Sequence, residues 1–136
     1  MKIFLILFLV STIYAGDLKL ASHIFEKIIL AISHDTKPKI YIYTHIEAIE
    51  EYSEKFNLVN SCEDSDIVIL SSVKNIPSRC SSKLLFGTRY KHLKNKKVIG
   101  AFFWQKGRPN VLFYRDRLEK NNIKLDSSFD KYIENE

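Results

Sequence analysis

The sequence predicts a single α/β domain built on a mixed sheet, with parallel strands first, a C-terminal antiparallel hairpin last and helices on both faces. Three observations carry this. Val98 to Tyr114 holds two apolar runs around a polar Lys106-Gly107 turn, the pattern of a tight β-hairpin. Asp66-Ile67-Val68-Ile69-Leu70-Ser71 is a continuous apolar run, as in a central parallel strand covered on both faces. The element order reads helix, strand, helix, strand, strand, hairpin, helix, helix, which packs as helices about a sheet that is parallel at first and antiparallel at its end.

The chain opens on Met1-Lys2, an unbroken apolar run from Ile3 to Val10 and a short exit from Ser11 to Ala15. This is the pattern of a secretory signal peptide, cleaved after Ala15, which leaves residues 16–136 as one exported domain. Ile13, three places before the cut, is larger than the residue usual there, so the alternative is an uncleaved N-terminal anchor. Later apolar runs fall short of the roughly 20 residues that span a bilayer. Neither cysteine lies near Ala15, so no lipid-attachment site is expected.

Removing 15 of 136 residues leaves 121 and takes Lys2 with them, so 20 basic residues face 16 acidic ones, a balance of +4. In an exported chain this excess points away from nucleic acid and toward anionic headgroups, sugars or an acidic protein face. A chain of this length buries about two-thirds of its unfolded surface, enough for one core. Cys62 and Cys80 make an even pair in an oxidising compartment and are expected to form a disulfide. Their spacing is not that of a thioredoxin-type redox motif.

From Asp17 to about Ser33, Leu18, Ala21, Phe25, Ile28, Ile29 and Ile32 recur at helical steps, and Leu20, Ile24 and Ala31 widen the apolar face. His34 to Pro38 is the break, since helices seldom continue into a residue before proline. Lys39 to Tyr43 is a strand rich in β-branched and aromatic residues. Thr44-His45-Ile46-Glu47 reads as a capping box that starts a helix running to about Phe56. Leu58-Val59 suggests a short strand, Asn75 to Cys80 a loop or single turn, and Lys83 to Gly87 the next strand. Each cysteine lies just ahead of a strand, so parallel neighbours would bring the two together. Arg89 to Lys97 is a polar, basic helix or loop.

In the hairpin, strict alternation puts Val98, Gly100, Phe102 and Trp104 on one face and Ile99, Ala101 and Phe103 on the other. Both sets are apolar, so the hairpin must be covered on both sides. Pro109 has no N–H to donate and belongs at the strand mouth or on an unpaired side. Arg115 to Asn121 is helical, and Asp126 or Ser127 caps a last helix with Phe129, Tyr132 and Ile133.

The sequence lacks G-x-S-x-G, H-E-x-x-H, P-loop and G-x-G-x-x-G patterns, and has four glycines in all. No catalytic residue, cofactor or metal site is expected, and the chain is read as a non-enzyme. A zinc site from His34 and His45 with a carboxylate is weaker than the reading of all four histidines as surface residues. A Cys80–His92 nucleophile would be quenched by the disulfide. Two surfaces remain. Trp104, Lys106 and Arg108 at the hairpin tip, with Arg89 and Lys97 of the basic segment, are the candidate partner-binding set. Thr44, His45, Ser71, Ser72 and Thr88 follow the carboxyl ends of three strands, the crest where open α/β sheets dock small ligands.

Val98-Ile99-Gly100-Ala101-Phe102, Arg108 to Phe113, and Ile123-Lys124-Leu125-Asp126-Ser127-Ser128 stand in the order hairpin, helix, link, closing helix. That order resembles the C-terminal half of the YfiR/HmsC-like periplasmic proteins, and the front of the chain is similar too. The resemblance implies a periplasmic regulator, in a bacterial source, that binds a membrane-anchored signalling protein, typically a diguanylate cyclase. The alternative is a periplasmic small-ligand binder that uses the crest of the sheet.

Overall fold

The computed structural model describes residues 2–136, with side chains from Asp17 onward. The leader expected at residues 1–15 lies outside the described side chains. A long helix α1 (Lys2–Ile32) precedes β1 (Lys39–Tyr43), the single turn α2 (Glu47–Glu50), β2 (Asn57–Leu58) and β3 (Ile67–Leu70). Then come the single turn α3 (Ser78–Ser81), β4 (Leu84–Gly87), β5 (Val98–Gln105), β6 (Arg108–Tyr114), α4 (Arg115–Lys120) and β7 (Ile133–Glu134). Among these residues seven strands form one sheet in the order β2-β1-β3-β4-β5-β6-β7. Only β5 and β6 pair antiparallel; the other neighbours are parallel, as the α/β reading requires. Among the described residues no helix is long and apolar enough to cross a membrane.

The sheet has an apolar layer on each side. Phe25, Ile28, Ile29 and Ile32 of α1 pack on Ile40, Ile67, Ile69, Phe86, Phe102 and Phe113. On the reverse face Val68, Leu70, Leu85, Ala101 and Leu112 meet Cys80 of α3, Cys62 and Leu93. β3 is wholly buried, because it lies between β1 and β4 under both layers. Burying each such Val, Leu or Ile contributes roughly 1.5–3 kcal/mol, so this strand anchors the sheet on both faces. Cys62 and Cys80 form the expected disulfide, their Cα atoms 5.0 Å apart, on the reverse face where β3 and β4 run side by side.

The hairpin departs from strict alternation. Leu85 of β4 stands opposite Val98 but Phe86 stands opposite Gly100, so Ile99 is an extra residue in β5. A bulge of this kind flips everything on one side of it. Val98 therefore joins the reverse face with Leu85, whereas Ile99 turns to the α1 face with Phe102. Gly100 sits where an added Cβ would lie 2.5 Å from Phe113 Cδ1 and 2.7 Å from the Leu112 carbonyl, so only glycine leaves room for that ring. At the turn both Lys106 (φ 52°) and Gly107 (φ 74°) are left-handed, the backbone that matches the twist of a two-residue hairpin.

Three helical expectations change. Leu20 is exposed and Ile24 and Ala31 only half-buried, so the buried stripe of α1 is narrower than its apolar composition. The capping box at Thr44 does not form. Thr44 itself is left-handed (φ 67°) and the helix is capped at Ile46, whose N–H is accepted by Glu50 Oε1 at 3.3 Å. The helix then stops after one turn, and residues 53–55 form a 3₁₀ turn leading into β2. Near the end, Asp126 caps Ser127–Tyr132 as expected, but as a 3₁₀ segment. Ile133 then leaves the predicted helix to pair with Phe113 as β7, extending the sheet by one short parallel strand.

Candidate functional site

β4 ends at Gly87, opposite Ala101, so Phe102 to Gln105 and their partners Arg108 to Val111 stand beyond the neighbouring strand. Four residues of strand project by about 13 Å. This overhang, the Thr88–Arg89 loop, the start of α2 and residues 17–25 of α1 enclose a groove of about 680 Å³ at the carboxyl end of the parallel strands. Its apolar wall climbs from core to surface in ring contacts: Phe25 to Phe102 at 4.9 Å, then Phe102 to Trp104 at 6.0 Å. Trp104 is 43% exposed at the lip, unusual for a side chain of its size. Asp17, Glu47 and Arg89 supply the charges around it.

The partner-binding set is thus brought together only in part. Trp104 and Arg89 line this groove, and Lys106 and Arg108 lie exposed on the tip just beyond. Lys97 precedes the first residue of β5 at the opposite end of the strand, roughly 25 Å from the tip for eight residues. The single positive face that joined Lys97 to Lys106 does not form. Its neighbour Lys96 instead pairs with Glu136 at 2.7 Å. A residue that the sequence pattern passed over stands nearer. Tyr90 is 61% exposed and packs edge-on to Phe103 at 5.6 Å, on the reverse side of β5 from Trp104. Its position directly after Arg89 was the available signal.

The crest hydroxyls are mostly engaged in closing the sheet. Thr88 Oγ1 donates to the Leu70 carbonyl at 2.7 Å and Ser71 Oγ to the Tyr43 carbonyl at 3.3 Å. Ser72 Oγ accepts from the Lys74 N–H at 3.2 Å. His45 Nδ1 lies 2.5 Å from Glu50 Oε2 on an exposed corner. Thr88 and Ser71 thus tie their loops to the ends of neighbouring strands, the Tyr43 carbonyl also accepting the Ser71 N–H at 3.1 Å, which is a structural task. Thr44 and His45 are exposed; only Thr88 of the five lines the groove.

His92 is not a surface residue. It is 1% exposed, and its Nδ1 accepts the Thr88 backbone N–H at 3.1 Å. Burial, then the charges of Arg89 and Lys91, hold its pKa below the ordinary value of 6.5, so the ring is neutral and carries its proton on Nε2. Cys80 is bonded to Cys62 and offers no thiolate. Among the described residues no group of three or more His, Cys, Asp or Glu side chains is placed to hold a metal ion. At the crest, Trp104 is an exposed aromatic with Arg89, Asp17 and Glu47 along the same groove. No family model, no curated protein and no solved structure matches this chain.

Proposed function

We propose that the chain is an exported, non-enzymatic regulatory protein that acts by contact with the periplasmic part of a membrane signalling protein. The similarity to YfiR/HmsC-like proteins makes a diguanylate cyclase the partner to test first. One observation supports this most: Trp104 stands exposed on a projecting hairpin, backed by Phe102 and flanked by Arg89, Lys106 and Arg108. Interface hot spots favour Trp and Arg in such settings, with a rigid aromatic supported from beneath. The disulfide is consistent with an oxidising compartment.

The test is recovery of the membrane partner by the tagged protein. Trp104→Ala and the double variant Lys106→Glu/Arg108→Glu are expected to lose recovery, and Lys97→Glu, at the far end of β5, to retain it. Unchanged recovery by both tip variants defeats the proposal.

A second use of the same crest is supported by the groove volume, about 680 Å³, which lies in the range of small-molecule sites. A metabolite seated beside Thr88 and Arg89 would raise the melting temperature of the wild type and not of Arg89→Ala. Absence of any shift across a panel of small anionic and zwitterionic metabolites removes this second reading.

A further inference from the structure

Seven strands about 4.8 Å apart make a sheet roughly 29 Å wide, whereas one helix covers about 10 Å. α1 therefore cannot roof its face alone. On the β6 side the gap is a groove of about 700 Å³. Val111 forms its floor, Ile24, Ile28 and Ala31 of α1 form one wall, and Phe129 and Tyr132 form the other. Leu30, 53% exposed, extends the apolar rim.

The charges around this groove have one sign. Lys27 stands on the α1 wall and Lys131 on the facing wall, and among the described residues no acidic one lines it. The groove across α1 is different, with Glu26 and Glu54 beside Lys37 and Lys55. So is the crest groove, with Asp17 and Glu47. A strip of apolar surface with cations on both banks is complementary to a slender apolar molecule carrying one negative charge. The floor is one strand, β6, which contributes Pro109 and Val111. The volume falls within the range of small-molecule sites.

We propose that the groove between α1 and residues 127–132 binds the acyl chain of a free fatty acid, with its carboxylate paired to Lys27 or Lys131. Apolar walls hold the chain by removing it from water, and the lysines select the anion over a neutral chain of equal length. The groove reaches Pro109, the cross-strand partner of Trp104, but its lining holds none of Trp104, Lys106 and Arg108, so variants at Lys27 and Lys131 test this site apart from the partner surface.

The test uses dansylaminoundecanoic acid as a fluorescent probe, displaced by dodecanoate or dodecanol below their aggregation limits. Dodecanoate is expected to displace the probe from the wild type and to raise its melting temperature, with dodecanol at least tenfold weaker. Lys27→Glu/Lys131→Glu, both exposed positions, should lose at least tenfold for dodecanoate and nothing for dodecanol. Ala31→Trp, which fills the groove, should weaken both, and Trp104→Ala neither. The proposal is overturned if the probe does not bind, if dodecanol equals dodecanoate, or if the charge-reversed variant binds as the wild type does. It is also overturned if phosphatidylglycerol vesicles bind through the two lysines while free dodecanoate does not, which would make the face a membrane contact.

Discussion

Gly87 ends β4 directly beneath His92: a Cβ built on Gly87 would lie 2.8 Å from the His92 Cβ and 3.3 Å from Nδ1. The imidazole can close over the strand end and take the Thr88 N–H only because that hydrogen is all Gly87 presents. Gly87→Ala must push His92 aside or move the strand end, and overpacking of this kind costs about 1–3 kcal/mol. Urea denaturation is expected to show the loss. A midpoint equal to the wild type would show that the loop yields freely.

His92 also sets a pH dependence. Its pKa is lowered in the fold, so the unfolded chain binds the proton first as pH falls below about 6.5. Stability is then unaffected above that value and declines as pH drops toward the lower folded pKa. In His92→Asn, which keeps an acceptor but does not titrate there, the decline between pH 7 and 5 should be smaller. Parallel curves for the two proteins would contradict the assignment.

Glu136 acts with the same sign in a more acid range. Its carboxylate receives Arg117 Nη2 at 2.5 Å and Lys96 Nζ at 2.7 Å, and these hydrogen bonds lower its pKa from 4.5 to about 2. A depressed carboxylate contributes stability above its unfolded value that is lost as pH falls through the folded one. Glu136→Gln is therefore expected to flatten the stability curve between about pH 4.5 and 2. Arg117 is itself buried, donates to the Val98 carbonyl at 2.8 Å and lies over the Tyr114 ring at 4.5 Å. Arg117→Met leaves that carbonyl without its charged donor and should cost about 2 kcal/mol in denaturant titrations.

Ser22 is fully buried on α1, and its hydroxyl has no hydrogen-bond partner among the described residues. An unmet buried hydroxyl costs about 1–3 kcal/mol of desolvation, so Ser22→Ala is expected to be neutral or to stabilise by about 1 kcal/mol. A clear loss of stability on calorimetry would mean that the hydroxyl is engaged in solution.

The disulfide closes a loop between residues 18 apart. In the chain-entropy account such a link stabilises by roughly 3 kcal/mol, acting on the unfolded chain. Cys62→Ala/Cys80→Ala should fall in stability by about that amount while keeping its circular dichroism. Thiol titration of the denatured, unreduced wild type should find no free thiol.

What sequence alone determined here is whatever rests on local pattern. The β3 run had to be a covered strand because four consecutive apolar residues cannot face water on either side. The hairpin followed from two apolar runs joined by Lys106-Gly107, and the cysteine pairing followed from an even count in a chain read as exported, whereas the parallel pairing of β3 and β4 that brings the two together is tertiary. Tertiary structure decided what depends on neighbours distant in the chain. The extra Ile99 appears only against β4, and it moves Val98 to the face opposite Phe102. Thr44 lost its cap because the turn out of β1 took a left-handed backbone, and His92 became a core residue because Gly87 leaves space above it. The length of β5 separates Lys97 from the tip, while the crossover from β4 brings Arg89 beside Trp104. Periodicity carries direction and burial along one segment; which segments meet, and at which end of a strand, is set by packing across the sheet.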